Sequence, residues 1–239
     1  MKRKRFLITG GTSGIGLALA RACAALDQEV IICGRNRERL TGAEHDLPGV
    51  KAVRADLTQH DDRQRLVEVM SAEVRRPLVL INNAAVQHPS LWTDWTPEQA
   101  AWAAEEIAVN VTGLVLLTHA LMPVLLRAPQ ASIVNISSGL ALAPRRSAAT
   151  YCATKAFVHS FTRALRYQCE DAAPRLRVVE VLPALVDTPM TAGRGKRKMS
   201  PDAVAAAVLD GLERGRTEIL LGATRLLPWI QRLSPALAY

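Results

Sequence analysis

Tyr151 and Lys155 stand four residues apart in the run YCATK, in a stretch patterned as a helix. Ser138 closes the strand-like run IVNISS upstream of them. Residues at i and i+4 share a helix face with their Cβ atoms about 5–6 Å apart, so the ammonium can lie near the phenol. A free phenol has a pKa of about 10 and is a poor acid or base near neutrality; a fixed adjacent cation lowers that value. The pair could therefore give a proton to a carbonyl oxygen or take one from an alcohol. Alone, Y-x-x-x-K is weak evidence, because helices pair Tyr and Lys at this spacing by chance. The surrounding elements have to position it.

Those elements alternate from end to end. Apolar runs at Arg5–Thr9, Glu29–Cys33, Lys51–Arg54, Leu78–Asn82, Ser132–Ser137, Arg177–Leu182 and Glu218–Leu221 predict strands. They are nearly continuously apolar, as parallel strands covered on both faces should be. Between them, the pattern predicts helices over Gly14–Leu26, Arg37–Glu44, Asp61–Val74, Pro97–Ala108, Val111–Leu126, Tyr151–Glu170 and Pro201–Arg214. Thr96-Pro97-Glu98-Gln99 combines a cap, a first-turn proline and a capping-box Gln, and Ser200-Pro201-Asp202 repeats the cap and proline. Strand–helix repetition of this kind implies a mostly parallel sheet with right-handed crossovers. The expectation is an α/β, Rossmann-like, doubly wound fold: seven strands, helices on both faces, one domain over residues 1–239.

The first strand runs into Thr9-Gly10-Gly11-Thr12-Ser13-Gly14-Ile15-Gly16 and then into an apolar helix. Glycines there permit a tight turn and close backbone approach, so that the helix N-terminus can hold a pyrophosphate. The spacing T-G-x-x-x-G-x-G has one more residue between glycines than the G-x-G-x-x-G fingerprint. An ordinary glycine-rich loop is the bland alternative, and the position between first strand and helix favours dinucleotide binding.

Composition narrows the classes. The 239 residues are 49% apolar, with no low-complexity run or repeat. No apolar run reaches the roughly 18–20 residues of a membrane span, and FLITGGTSG after MKRKR is too short and glycine-rich for a signal peptide. A cytoplasmic location is expected. Cys23, Cys33, Cys152 and Cys169 form no C-x-x-C and read as buried reduced thiols, with no metal site. The net charge of +8 resides in Lys2, Arg3, Lys4, Arg5 and in Arg194, Lys196, Arg197, Lys198; without these eight the 30 basic residues fall to the number of acidic ones, 22. With aromatics at 4%, nucleic-acid binding is not expected.

TGGTSGIG, INNAA at 81–85, Asn110, Ser138, YCATK and LPALVDTP at 182–189 occur in the order seen in the short-chain dehydrogenase/reductase family, and the chain resembles that family over nearly its whole length. Two positions depart from its pattern: Ala85 stands where Gly is usual, and Pro183-Ala184 where Pro-Gly is usual. Ala184 has no free access to positive φ, so the loop there is expected to run differently. The resemblance implies that Tyr151 exchanges a proton with substrate oxygen during hydride transfer. Lys155 would lower the phenol's pKa and bind the nicotinamide ribose, and Ser138, not its neighbour Ser137, would hold the substrate oxygen. Asn110 would help to hold a relay water; in isolation it reads as a polar residue at a helix terminus. The cofactor would meet Gly10, Thr12, Ser13, Gly14, Ile15 and Gly16 at the turn. Asp56 and Leu57 would lie beside adenine, Asn83, Ala84 and Ala85 after the fourth strand, and Pro183, Val186 and Thr188 near the carboxamide. Asn82 is expected to stabilise strands instead.

The second strand ends Cys33-Gly34-Arg35-Asn36 without the carboxylate that would accept an NAD ribose. Arg35 could stack on adenine and pair with a 2′-phosphate. NADP(H) is therefore preferred, with NAD(H) the alternative; Ser13 stands where many NADP users carry a basic residue. The segment Ala184–Met199 would form a short lid, whose GRGKRK cluster either attracts an anionic substrate or is simply solvated. Gln87, His88 and Trp92 would border the pocket. The apolar tail (Leu226, Leu227, Trp229, Ile230, Leu233) would pack on a partner subunit in a homodimer or homotetramer, with membrane-surface contact the runner-up. An NAD(P)-dependent oxidoreductase acting on a small-molecule carbonyl/alcohol pair is the expected activity, and a catalytically idle cofactor-binding regulator of the same fold is the alternative.

Overall fold

Strands β1 (Arg5–Thr9), β2 (Glu29–Gly34), β3 (Val50–Arg54), β4 (Leu78–Asn82), β5 (Ala131–Ile136), β6 (Leu176–Pro183) and β7 (Glu218–Leu221) form one sheet in the computed structural model, which describes residues 3–233. The order is β3-β2-β1-β4-β5-β6-β7, and every pairing is parallel. The sheet is Rossmann-like and doubly wound, with helices on both faces. The chain winds outward from β1 to β3, then returns to place β4 on the other side of β1. Its carboxyl edge opens a crevice at that reversal.

Alternate residues of the strands go to opposite faces, which is why their sequences are continuously apolar. Phe6, Ile8, Val30, Ile32, Val79, Ile81, Val179 and Val181 pack on one face with α1 (Gly14–Ala25), α2 (Arg37–Asp46) and α7 (Pro201–Glu213). Leu7, Ile31, Leu78, Leu80, Ile133 and Val178 pack on the other with α3 (His60–Ser71), α5 (Leu114–Arg127) and α6 (Ala149–Ala172). Each fully buried Leu or Ile contributes roughly 1.5–3 kcal/mol by leaving water. All four cysteines are buried and free.

The sequence separates two helices around Asn110. The structure joins α4 (Glu98–Ile107) to α5 through a π-helical turn, Ala108–Gly113, that contains Asn110. The continuous helix Glu98–Arg127 is long and apolar enough to cross a membrane by length and composition, which sequence runs alone did not show. Half of its apolar window is buried inside the protein, and Leu117, Leu121, Val124 and Leu125 belong to the core. A core helix explains that composition. α6 begins two residues earlier than its sequence pattern predicts.

A 3-10 turn, Gly222–Leu226, leads into α8 (Leu227–Leu233). Leu227 turns toward the crevice, while Leu226 and Trp229 are exposed. Residues 234–239 and the Leu233 side chain, part of the expected partner-packing set, lie outside the described residues, as does Lys2.

Candidate active site

Thr9, the last residue of β1, is buried and joins the two strands at the reversal. Its hydroxyl donates to the Ile81 carbonyl (3.3 Å) and accepts from the Asn83 and Ala84 amides at 2.9 and 3.0 Å. The Asn83 side chain donates back to the Thr9 and Gly10 carbonyls at 2.9 and 3.2 Å. The turn that follows packs so closely on itself and on the residues after β4 that a side chain does not fit at Gly10 or Gly16. A Cβ on Gly10, which has φ +64°, would meet the Ala84 Cα at 2.9 Å, and one on Gly16 would meet the Gly10 oxygen at 2.3 Å. α1 then starts at Gly14 with no acidic residue in its first turn and no side-chain cap from Ser13. Its first amides are left for an anion, which the helix dipole favours.

This turn forms one wall of a cleft of about 660 Å³ along the carboxyl edge. Gly10, Thr12, Ser13, Gly14 and Ile15 line it, whereas Gly16 acts from behind by allowing the turn to close. Arg35, Asn36 and Arg39 line its outer end together with Asp56 and Leu57. Asn36 caps α2 by accepting from the Arg39 amide at 2.8 Å. Arg35 is about half exposed and pairs with Glu105 at 3.0 Å. Asp56 fixes its own loop by accepting from the Thr58 amide and hydroxyl at 2.9 and 2.8 Å. Asn83, Ala84, Ala85, Pro183, Val186 and Thr188 line the cleft as well, Thr188 so close to the turn that a Cβ on Gly14 would meet its Cγ2 at 2.9 Å.

Tyr151, Lys155 and Ser138 line the inner end of the same cleft. The Lys155 ammonium lies 5.7 Å from the Tyr151 ring centre and donates to the Ile136 carbonyl at 2.8 Å. Ser138 caps a 3-10 turn, Gly139–Ala141, by accepting from the Leu140 amide at 3.1 Å. Ser137 is buried and donates to the Lys155 carbonyl at 3.2 Å, so it fixes the helix that carries the pair, though it too reaches the cleft wall.

The electrostatics differ from the sequence expectation. Burial pushes the Tyr151 phenol well above its ordinary pKa; the cation that opposes this is Arg194, while Cys152 and Glu106 add to the rise. Lys155 is itself desolvated and lowered to about 8, with the buried Glu180 pulling it back up. Lys155 lies near Tyr151, as the spacing predicts, but the phenol is raised instead of lowered, because burial dominates and the cation that opposes it is Arg194. Glu180 has no exposure and is held by His159 at 2.9 Å.

Asn110 does not line the cleft. Its side chain accepts from the Val86 amide at 2.8 Å and donates to the Val86 carbonyl at 2.9 Å and Thr154 Oγ1 at 3.2 Å. It thus ties the loop after β4 to α6, and the π turn that carries it is a type often found at functional sites. Asn82 is engaged across the sheet, donating to Thr118 and Asn135 at 3.0 and 2.8 Å.

Gln87 lines the cleft; His88 instead stacks on Trp102 and meets Glu105 at 2.9 Å, and Trp92 is exposed. Ala184 adopts no positive φ and donates to the Leu221 carbonyl at 3.1 Å. The following segment is closed at its base by Leu185 and Asp187 bonding to Met199 at 2.9 and 2.8 Å. It lines the cleft through Leu185, Met190 and Arg194. Of its basic cluster only Arg194 turns inward, since Lys198 pairs with Asp187 at 3.1 Å and Lys196 and Arg197 are exposed. Arg145, Leu140 and Ala143 complete this end. No pattern in the sequence marks them, because their position depends on the loop between β5 and α6.

The family model described as "short chain dehydrogenase" matches residues 4–199. The uncharacterized oxidoreductase DltE of Bacillus subtilis is 37% identical over 225 residues, 92% of this chain and 88% of that one. Among solved structures, a short-chain dehydrogenase from Sphingobium yanoikuyae in complex with NADPH matches with a TM-score of 0.80 and 29% identity, over 91% of this chain and 87% of that one. A short chain dehydrogenase from Burkholderia cenocepacia in complex with NADP matches with a TM-score of 0.85 and 26% identity, over 99% and 95%.

Proposed function

The chain belongs to the short chain dehydrogenase family, and on that premise we propose that it interconverts a carbonyl and an alcohol with NADPH in preference to NADH, Tyr151 being the acid/base. The observation that carries the reading is that Tyr151, Lys155 and Ser138 line the same cleft as the glycine turn.

A nicotinamide bound in that cleft supplies the hydride, or accepts it in the reverse direction. Gly10, Gly14 and Gly16 keep the turn open to a diphosphate, with the amides of Ser13 and Ile15 as donors and Thr12 beside them. Asp56 and Leu57 would receive the adenine, and Asn83, Ala84 and Ala85 would border the cofactor. Pro183, Val186 and Thr188 face the carboxamide, while Lys155 serves the second ribose. In the reducing direction Ser138 Oγ holds the substrate oxygen and Tyr151 Oη gives it a proton. The phenol carries its proton at neutral pH, but burial makes it a weaker acid, so the neighbouring cations have to offset that burial for the proton to be given up. The phenolate left behind is stabilised by Lys155 and Arg194 until it is reprotonated. Asn110 acts as a positioning residue through Val86 and Thr154.

The cofactor preference is supported by the absence of a carboxylate where β2 ends and by Arg35 and Arg39 at the outer end. Glu105, paired with Arg35, is the observation favouring NADH. We further take the protein as a single-domain, cytoplasmic homodimer or homotetramer.

Purified protein should bind NADPH, seen by nicotinamide fluorescence, and oxidise it with members of a ketone and aldehyde panel. Cofactor binding without oxidation by any of them would support the idle regulatory reading.

A further inference from the structure

We propose that the substrate carries an anionic group, carboxylate or phosphate, and that Arg194 and Arg145 hold it at the inner end of the cleft. This rests on the reading above and names the substrate class of that same site.

The two arginines come from different segments. Arg145 lies in the loop before α6, and Arg194 in the excursion between β6 and α7. Both line the cleft that contains Tyr151. Arg194 is half-buried, and its contacts there are neutral: Nη1 donates to Gln87 Oε1 at 2.8 Å and Nη2 donates to the Met190 carbonyl. Neither guanidinium pairs with a carboxylate among the described residues, whereas Arg35, elsewhere on the cleft lining, and Lys198, in the same segment as Arg194, do.

The surroundings increase the value of an anion. Leu140, Ala143, Leu185, Met190 and Leu227 make this end apolar, and a charge there interacts more strongly than in water. Arg145 repels Arg194, adding to the desolvation that already disfavours its charge. Two cations brought together without a counter-ion are costly, and an anionic ligand removes that cost. Glu106, the buried acid that acts on Tyr151 and Cys152, accepts the His88 amide at 2.5 Å and is itself pushed toward its neutral form by burial. Gln87 Nε2 is buried without a partner among the described residues, on the side chain whose oxygen Arg194 meets. A brace between loops would need only the neutral contacts of Arg194. The charge is what an anion would recognise, through the bidentate fork that guanidinium offers to carboxylate and phosphate alike.

The test pairs each anion with a neutral counterpart: acetoacetate and levulinate with their methyl esters, and dihydroxyacetone phosphate with dihydroxyacetone. With NADPH, the wild type should prefer the anion by about 100-fold in kcat/KM, and the pair showing the larger ratio identifies carboxylate or phosphate. Arg194→Ala should bring the ratio close to one, Arg145→Ala should lower it, and Arg194→Lys should restore part of it. Equal use of anions and neutral compounds by the wild type overturns the proposal. So does an Arg194→Ala variant that leaves the ratio unchanged, slowing both members of a pair equally as loss of a brace or of phenolate stabilisation alone would, or one that loses NADPH affinity by the same factor. If no compound is reduced, the function proposed above fails separately. The anion site is then read by calorimetry of levulinate and dihydroxyacetone phosphate on the NADP⁺ complex. Binding that is lost in Arg194→Ala supports the site, and no binding of either overturns it.

Discussion

Replacing Gly16 by Ala tests the glycine turn at a position that meets no solvent-side change. Gly16 has no positive φ, so the substitution brings no backbone strain, only contact. The added methyl would stand 2.3 Å from the Gly10 oxygen and 2.5 Å from Asn83 Nδ2. A carbon–oxygen contact settles at roughly 3.3 Å or more, so the turn has to open by about 1 Å. The Asn83 amide that fastens the turn to the end of β4 sits in the way and must move with it. Overpacking of this size costs about 1–3 kcal/mol. A displaced turn also weakens amide bonds to a diphosphate, each worth about 1.5–3 kcal/mol when one partner is charged. At 1.4 kcal/mol per decade, the NADPH Kd should rise roughly 10- to 100-fold. Gly42→Ala is the matched control, because its methyl meets nothing within 4 Å inside helix α2. It should stabilise the protein by roughly 0.5–1 kcal/mol and leave NADPH binding alone. Fluorescence titration of both variants, with urea unfolding alongside, reads the two effects. Wild-type NADPH affinity in Gly16→Ala, with unchanged stability, would refute the reasoning.

Three further outcomes are expected. Arg35→Ala should raise the NADPH Kd about 10- to 100-fold and the NADH Kd far less, whereas Glu105→Gln, which frees Arg35 from its ion pair, should move the ratio toward NADPH; equal effects on both cofactors in Arg35→Ala would remove the basis for the preference. Lys155 is lowered to about 8 and Glu180 raises it, so activity that needs the charged lysine should fall as pH rises through about 8. Taking away the Glu180 charge lowers the lysine further, and Glu180→Gln should shift that alkaline limb to lower pH; an unmoved limb in the kcat/KM profile contradicts the coupling. Asn135→Ala should cost roughly 2–4 kcal/mol in urea unfolding, because Asn82 and Thr162 each lose a buried partner.

The parts legible in the sequence were those set by local spacing. The strands announced themselves as short apolar runs because both faces of a parallel sheet are covered. The glycine turn and the Tyr151–Lys155 spacing likewise need only their own neighbours to be read. Asn110 was harder: its spacing fits a helix end, yet a π turn carries the helix through it, and its partners Val86 and Thr154 are remote in sequence. The phenol's pKa could not be read at all, since it depends on burial by the whole fold. Arg194 was one of several equivalent cations in a charged run until the Leu185–Met199 closure turned it, and not Lys196 or Arg197, into the cleft. Leu227 lines the cleft because the 3-10 turn before it directs the tail there, a placement that no local spacing marks.

Tyr151→Phe keeps the buried ring and removes only the oxygen that is to move the proton. Measured with NADPH and the best carbonyl substrate, turnover should fall by about 10²- to 10⁴-fold, while the NADPH Kd stays within a few-fold of wild type. Turnover undiminished by that substitution would contradict the assignment of Tyr151 as the acid/base.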